Sequence, residues 1–337
     1  MSSAALVTVH CSRFPGRVRA QLLDSLRSRN VNPKFHYDSY KQTRKWLRLH
    51  EALSPARNDP ACEAIYDQGL AAVLKRLAPG PVHLIGLGCG GGHKDVRLLR
   101  RLRREGRDAG YTAVDVSLPM VLVAREAAQA EVPEARCHAV VCDLGTADAA
   151  SLDDLLTRQE PPGAHRILTF FGMMPNFDPA HILPRLAALT RPADSLLLSA
   201  NLAPGADYAK GTLQVLPQYD NELTRDWLMV FLADLGVEPS DGHLRFVIEE
   251  DPATGLRRIT ARFEFGQPRE VWVENEAVRF EAGADLRLFF SYRYTPSRLG
   301  EQLGRHGLAI GQQWVTPSGQ EGVFLASSQI RSPRAEG

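Results

Sequence analysis

"HLIGLGCGGGHKD", residues 83–95, sets five glycines into the seven positions 86–92, directly after a short apolar run. Glycines at that density let something lie against bare backbone where the next helix begins. The run before them, VHLIGLG, reads as a buried strand. Residues 93–106 read as a helix, with Leu98, Leu99 and Leu102 at helical spacing and the arginines of DVRLLRRLRREGR on a solvated outer face. Strand, glycine turn and helix form the opening unit of a doubly wound α/β sheet.

Working outward, the alternation continues. GYTAVDVS, ARCHAVVCDL, HRILTFFGM and DSLLLSANL read as further strands, separated by helices over 118–130, 150–158 and 179–190. Five strands with helices between them predict a parallel sheet covered on both faces. Upstream, helices are expected over 17–30, over 34–55 up to Pro55, and from Pro60, capped by Asp59 and closed by Gly80. The first two form an N-terminal cap ahead of any sheet. Downstream of 203 the character changes: the helical NELTRDWLMVFLADLG precedes the strand-like runs HLRFVIEED, LRRITARFEF and EVWVENEAVRF, with a hairpin at PATG. The last segment, TPSRLGEQLGRHGLAIGQQWVTPSGQEGVFLASS, predicts a helix and two strands that finish the first sheet antiparallel. The expected division is residues 60–202 with 291–330 as a ligand-binding α/β domain, and 1–59 with 203–290 as an α+β substrate domain.

Composition narrows the class. The chain has 337 residues, 44% hydrophobic and 23% charged, with a formal net charge of +1, so neither nucleic acid nor an anionic membrane is an expected partner. No stretch reaches the ~18 consecutive apolar residues of a membrane span, and MSSAALVTVHCSRFPGR lacks the features of a secretory signal. A cytoplasmic location is expected. Five scattered cysteines without CxxC spacing indicate neither disulfides nor a metal site.

Three features on successive strand ends point to a nucleoside-bearing ligand. Gly88, Gly90 and Gly92 form the turn after the first strand. Asp115 ends the second strand, where a carboxylate can accept both hydroxyls of a ribose, and Asp143 ends the third, where a purine amino group would lie. Gly86, Gly88 and Gly91 also satisfy the spacing of a dinucleotide fingerprint, so a nicotinamide-dependent oxidoreductase is an alternative. The absence of a second nucleotide motif and the hairpin finish favour S-adenosylmethionine.

With these residues in view, roughly positions 30–325 resemble the S-adenosylmethionine-dependent histidine Nα-methyltransferases of the ergothioneine pathway. KFHYD and SPAR are similar to the family's Tyr-Asp and Tyr-Pro-Thr-Arg segments, and GLGCGGGHKD to its cofactor loop, with Gly86 where a glutamate is usual. YTAVDVS, CDL, FFGMMPNFDP, QYDNELT and FFSYRY resemble its remaining motifs. The resemblance implies a class I methyltransferase (Rossmann-like) fold with an inserted α+β substrate domain. It implies that Tyr37, Gly88, Gly90, Lys94, Asp115, Asp143 and Leu144 hold the cofactor, with Lys94 facing its carboxylate. Gly172, Asn176 and Tyr219 would meet the amino-acid substrate, and Tyr37 and Ser54 would accept a hydrogen bond from its amine. The glutamate that bonds the imidazole in the family corresponds to Phe289, although Ser291 of that motif remains. The expectation is methylation of a nitrogen on an amino acid or small amino-acid-derived metabolite other than histidine. Histidine itself, O-methylation and a catalytically silent scaffold are the alternatives.

Overall fold

The computed structural model describes residues 4–329; positions 1–3 and 330, at the ends of the expected division, lie outside them. The main sheet contains the strands β1 (Thr8–Val9), β2 (Val82–Leu87), β3 (Ala109–Asp115), β4 (Cys137–Val141), β5 (His165–Phe170), β6 (Ser195–Asn201), β12 (Leu308–Val315) and β13 (Glu321–Ser328), in the order β1-β4-β3-β2-β5-β6-β13-β12. Strands β1 to β6 pair in parallel, and β13 and β12 close the sheet antiparallel. Strand order reverses between β2 and β5, the switch point at whose carboxyl edge such sheets bind ligands.

Helices α4 (Pro60–Arg76), α5 (His93–Arg104), α6 (Leu118–Ala128), α7 (Ala149–Thr157), α8 (Pro179–Leu189) and α11 (Pro296–Gly304) cover its two faces. Strands β2 and β3 are buried at every residue, and Leu98, Leu99 and Leu102 of α5 are fully buried, as their spacing predicts. The outward arginines pair instead with neighbouring acids: Arg97 and Arg101 with Asp67, Arg100 and Arg103 with Glu131.

A second layer is built from α1 (Pro15–Arg27), α2 (Tyr40–Leu53), the single turn α3 (Pro55–Asn58), α9 (Tyr208–Val215), α10 (Glu222–Asp234) and two small sheets. One sheet joins β7 (Gly242–Glu250), β8 (Arg257–Phe265) and β11 (Asp285–Arg293) in the order β11-β8-β7; the other is the hairpin β9 (Arg269–Val273) and β10 (Glu276–Phe280). Leu23 and Leu26 of α1, Trp227 and Phe231 of α10, and Phe263 and Phe289 of β8 and β11 share one hydrophobic cluster, so early and late segments bury one another.

Several expectations need correction. The N-terminal segment is not wholly ahead of the sheet, because Thr8 and Val9 pair with Val140 and Val141 at its edge. The boundary at 290/291 falls inside β11, whose hydrogen-bonded register runs unbroken across it. The helical stretch 34–55 is split: a short 3-10 helix spans Pro33–His36, and α2 starts afresh after Ser39, which forms a reciprocal capping box with Gln42. The helix from Pro60 ends at Arg76 rather than Gly80: Leu77 is already extended, and Pro79 disfavours helical backbone at the residue before it. EVWVENEAVRF folds back on itself as β9 and β10, with Glu274 in the left-handed region (φ 53°) at the turn.

Candidate active site

A cavity of about 720 Å3 opens at the switch point and runs from the glycine turn to the β8–β11 sheet. The turn is shaped by backbone that only glycine adopts cheaply: Gly88, Gly90 and Gly92 have φ of 67°, 53° and 72°. A Cβ on Gly88 would stand 2.6 Å from Met173 Cγ, and one on Gly92 would stand 2.9 Å from Ala124 Cα. No side chain caps α5, which leaves the N–H groups of its first turn to an acceptor.

Asp115 is buried at the tip of β3 and braces this turn. Its Oδ2 accepts from the Gly90 N–H at 3.0 Å and its Oδ1 from the Ser117 N–H at 3.0 Å. Each oxygen retains a second acceptor position, and the residue lines the cavity. Burial raises its pKa above the usual aspartate value, against the pull of these backbone bonds.

Position 86 has a specific neighbour. An atom added as Cβ there would collide with the carboxylate of Asp95, which Tyr111 (2.8 Å) and Thr169 (2.7 Å) hold in place. Asp95 thus occupies the volume that a side chain at 86 would need. Burial pushes its pKa up to about 6.

Asp143 lines the cavity at the end of β4 with three donors already on it: the Gly145 N–H (3.0 Å), the Thr146 hydroxyl (2.8 Å) and the Lys34 ammonium (2.8 Å). One of its roughly four acceptor positions remains for a ligand amino group. Lys34 is itself buried and also donates to Gln21; its pairing with Asp143 is invisible in the sequence because the two charges lie 109 positions apart. Leu144 lines the same wall.

Lys94, at the start of α5, faces the cavity with its ammonium 2.9 Å from the Tyr66 hydroxyl and 4.3 Å from the centre of that ring. Tyr66 in turn donates to Glu321 at 2.6 Å. Burial lowers the pKa of Lys94, and Glu321 partly offsets that. On the opposite wall, Tyr37 sits between Trp46 and Trp227, with ring centres at 5.9 and 5.5 Å. Burial, reinforced by Asp115, pushes its phenol well up, so it stays protonated near neutral pH. His50 stacks on Trp46 at 4.8 Å and is held neutral, its pKa lowered to about 3 chiefly by burial.

The substrate positions divide. Gly172 and Asn176 line the cavity, Gly172 with its N–H on Ser199 (2.8 Å) and Asn176 with its amide on the Phe290 carbonyl (2.9 Å). Ser54 does not: it ends α2 and begins α3, away from the lining. Tyr219, Phe289 and Ser291 are also outside it. Tyr219 is held at 2.8 Å by Ser291 and at 2.7 Å by Arg293, while the Phe289 ring packs on Trp227 (5.8 Å) and Tyr219 (6.3 Å). The cavity instead ends on Phe290, Tyr292, Arg258 and Arg287; the paired rings at 289 and 290 suggest an aromatic pocket wall from sequence, whereas nothing there marks Tyr292, Arg258 or Arg287.

The arrangement can hold a nucleoside with an amino-acid tail. Bare backbone at Gly88 and Gly90, an acceptor pair on Asp115, a remaining acceptor on Asp143 and the cation of Lys94 fit S-adenosylmethionine. Among the described residues, no group of three or more His, Cys, Asp or Glu side chains is placed to hold a metal ion. No described helix is long and apolar enough to cross a membrane.

Comparison with known proteins bears on the same residues. A model of the histidine-specific, S-adenosylmethionine-dependent methyltransferases matches residues 61–328. A histidine N-alpha-methyltransferase of Mycobacterium tuberculosis (strain CDC 1551 / Oshkosh) is 26% identical over 254 residues, 72% of this chain and 74% of the relative. Among solved structures, magnesium protoporphyrin IX methyltransferase from Synechocystis PCC 6803, with S-adenosylhomocysteine bound, has a TM-score of 0.47 at 13% identity, covering 89% of this chain and 98% of its own. An amino pentose methyltransferase of calicheamicin biosynthesis from Micromonospora echinaspora has a TM-score of 0.38 at 15% identity, covering 83% and 96%.

Proposed function

The chain belongs to the histidine-specific, S-adenosylmethionine-dependent methyltransferase family, and from that premise we propose that it methylates a nitrogen of an amino acid or small amino-acid-derived metabolite other than histidine. One observation carries the departure from histidine. The position assigned to the imidazole by resemblance holds Phe289, 7% exposed and enclosed by Trp227 and Tyr219, and the Ser291 hydroxyl is spent on Tyr219. An imidazole placed there would lack a partner, at a cost of about 1–3 kcal/mol for each unsatisfied polar group.

When bound, S-adenosylmethionine supplies a methyl group already activated by its sulfonium. The protein's own residues must hold a neutral amine in line, since placement alone lowers a barrier by several kcal/mol. Trp46, Phe171, Met173 and Phe290 line the space with apolar surface, which excludes water and favours the uncharged amine over its ammonium. The Tyr37 oxygen can accept one of the amine's hydrogens while keeping its own proton. Asn176, whose amide nitrogen is fixed to the Phe290 carbonyl, lines the cavity and brings a side-chain oxygen that can accept a hydrogen bond from the substrate.

The test is turnover of purified protein with S-adenosylmethionine over histidine, aromatic and acidic amino acids and their amines, read as gain of one methyl by mass. Methylation of a non-histidine nitrogen as the dominant activity supports the reading. Dominant turnover of histidine overturns it.

A further inference from the structure

We propose that Arg287 is the cavity's anion-binding residue and that the methyl acceptor carries a carboxylate which pairs with it. This rests on the reading of the cavity as the acceptor site.

Arg287 stands on β11 opposite Arg262 of β8. Around it, positive charges and carboxylates pair off and leave Arg287 over. Glu249 accepts from Arg258 at 3.2 Å and from Arg262 at 2.5 Å. Asp285 accepts from Arg245 at 2.9 Å and from Arg262 at 3.1 Å, and Glu264 lies 3.5 Å from Arg245. Three arginines therefore share three carboxylates, and Arg287 is left without one. Among the described residues the Arg287 side chain has neither hydrogen bond nor ion pair, and its buried Nε has no partner. Its one recorded side-chain contact is with the Phe290 ring, at 5.1 Å. Burial and the neighbouring Arg258 lower its pKa to about 10, as expected for a cation short of counter-charge.

Its direction follows from a register shift. Between Arg287 and Phe289 the strand carries one extra residue, Leu288, against β8. In a regular strand 287, 289 and 291 would share a face; the bulge puts 287 with 290 and 292. Those three, with Arg258 opposite Tyr292, line the cavity, while Phe289 and Ser291 face away. Asp178 and Asp24 border the same end without pairing to Arg287: Asp178 caps α8 through the Ala180 N–H at 2.9 Å, and Asp24 is exposed. A guanidinium over an aromatic ring at the rim of an apolar cavity suits a planar carboxylate on an aromatic or aliphatic body. The cofactor's own carboxylate belongs at Lys94, so it does not supply this anion.

The test uses two probes of one shape and different charge, 3-phenylpropionate and 3-phenylpropionamide, titrated calorimetrically into the full-length protein saturated with S-adenosylhomocysteine. The acid should bind at least about tenfold tighter than the amide. Arg287→Met should abolish that preference while leaving S-adenosylhomocysteine affinity unchanged, and Arg287→Lys should retain part of it. Equal binding of acid and amide by the wild type, no binding of either, or a preference that survives in Arg287→Met overturns the assignment. Acid preference that depends on Arg287 in a protein whose methylated product carries the methyl on oxygen upholds the anion site and refutes the nitrogen acceptor.

Discussion

Replacing Asp115 by asparagine removes a charge with almost no change of shape, and the structure fixes what else changes. Each carboxylate oxygen already accepts one backbone N–H, from Gly90 or from Ser117, and has one acceptor position left for a ribose hydroxyl. Asparagine keeps one oxygen. The hydroxyl facing the new NH2 group loses a charge-assisted bond of about 1.5–3 kcal/mol, and the other exchanges a charged acceptor for a neutral one at about 1 kcal/mol. The sum, about 3 kcal/mol, is roughly two powers of ten in affinity. The assay is calorimetric titration with S-adenosylhomocysteine near neutral pH. One of the two backbone N–H groups also loses its acceptor, so a melting curve must accompany the titration to establish that the variant is folded. A folded variant whose dissociation constant rises by less than about fivefold would refute the ribose role of Asp115.

Lys34→Met leaves Asp143 buried without its ion partner and should cost about 3–5 kcal/mol in urea unfolding; adding Asp143→Asn should return most of that loss. Asp95 has its pKa raised from the unfolded 3.8 to about 6, so the native state holds its proton longer and wild-type stability should fall as pH rises between those values. Asp95→Asn should remove that fall, seen as urea midpoints that converge with those of the wild type near pH 4 and exceed them near about pH 6.5; parallel profiles would contradict it. Phe289→Glu places a carboxylate among Trp227 and Tyr219 and should lower the melting temperature by several degrees without conferring histidine turnover; efficient histidine methylation by this variant would show that the ring alone blocks the imidazole.

The main sheet was legible because its signals are local. Each parallel strand is a short apolar run bounded by glycine, proline or a cap, and the chemistry sits at the strand ends, where Gly88, Gly90, Asp115 and Asp143 all line the cavity. What escaped depends on contacts between distant positions. Two residues of β1 join the sheet through partners more than a hundred positions away, and no periodicity marks a strand that short. Nothing in the sequence marks Lys34, beside a proline, as buried, and only the fold shows that it pairs with Asp143. Gly86 reads as a lost acidic residue, whereas Asp95, nine positions on and already in the quoted stretch, fills the space beside it. Tyr219 was placed at the substrate by resemblance; Ser291 and Arg293 hold its hydroxyl outside the lining.

The Phe-Phe pair at 289 and 290 shows why the acceptor site was the hardest part to read. Alternation states that one ring faces each way but not which, since parity along a strand is counted from a regular start. The extra residue at Leu288 reverses that count, and no glycine, asparagine or proline in DLRLFFSYR announces it. With the reversal, the aromatic ring that replaces the family's glutamate closes against Trp227, and the same shift turns Arg287 into the cavity beside Phe290. An apolar ring thus stands outside the cavity at one position of β11 and a charged side chain lines it two residues earlier on the opposite face. Closing one end of a site while opening another through a single bulge changes which acceptor fits without disturbing the strands that hold the cofactor. On the proposed reading, substrate choice turns on the register of β11 as much as on the identity of residue 289.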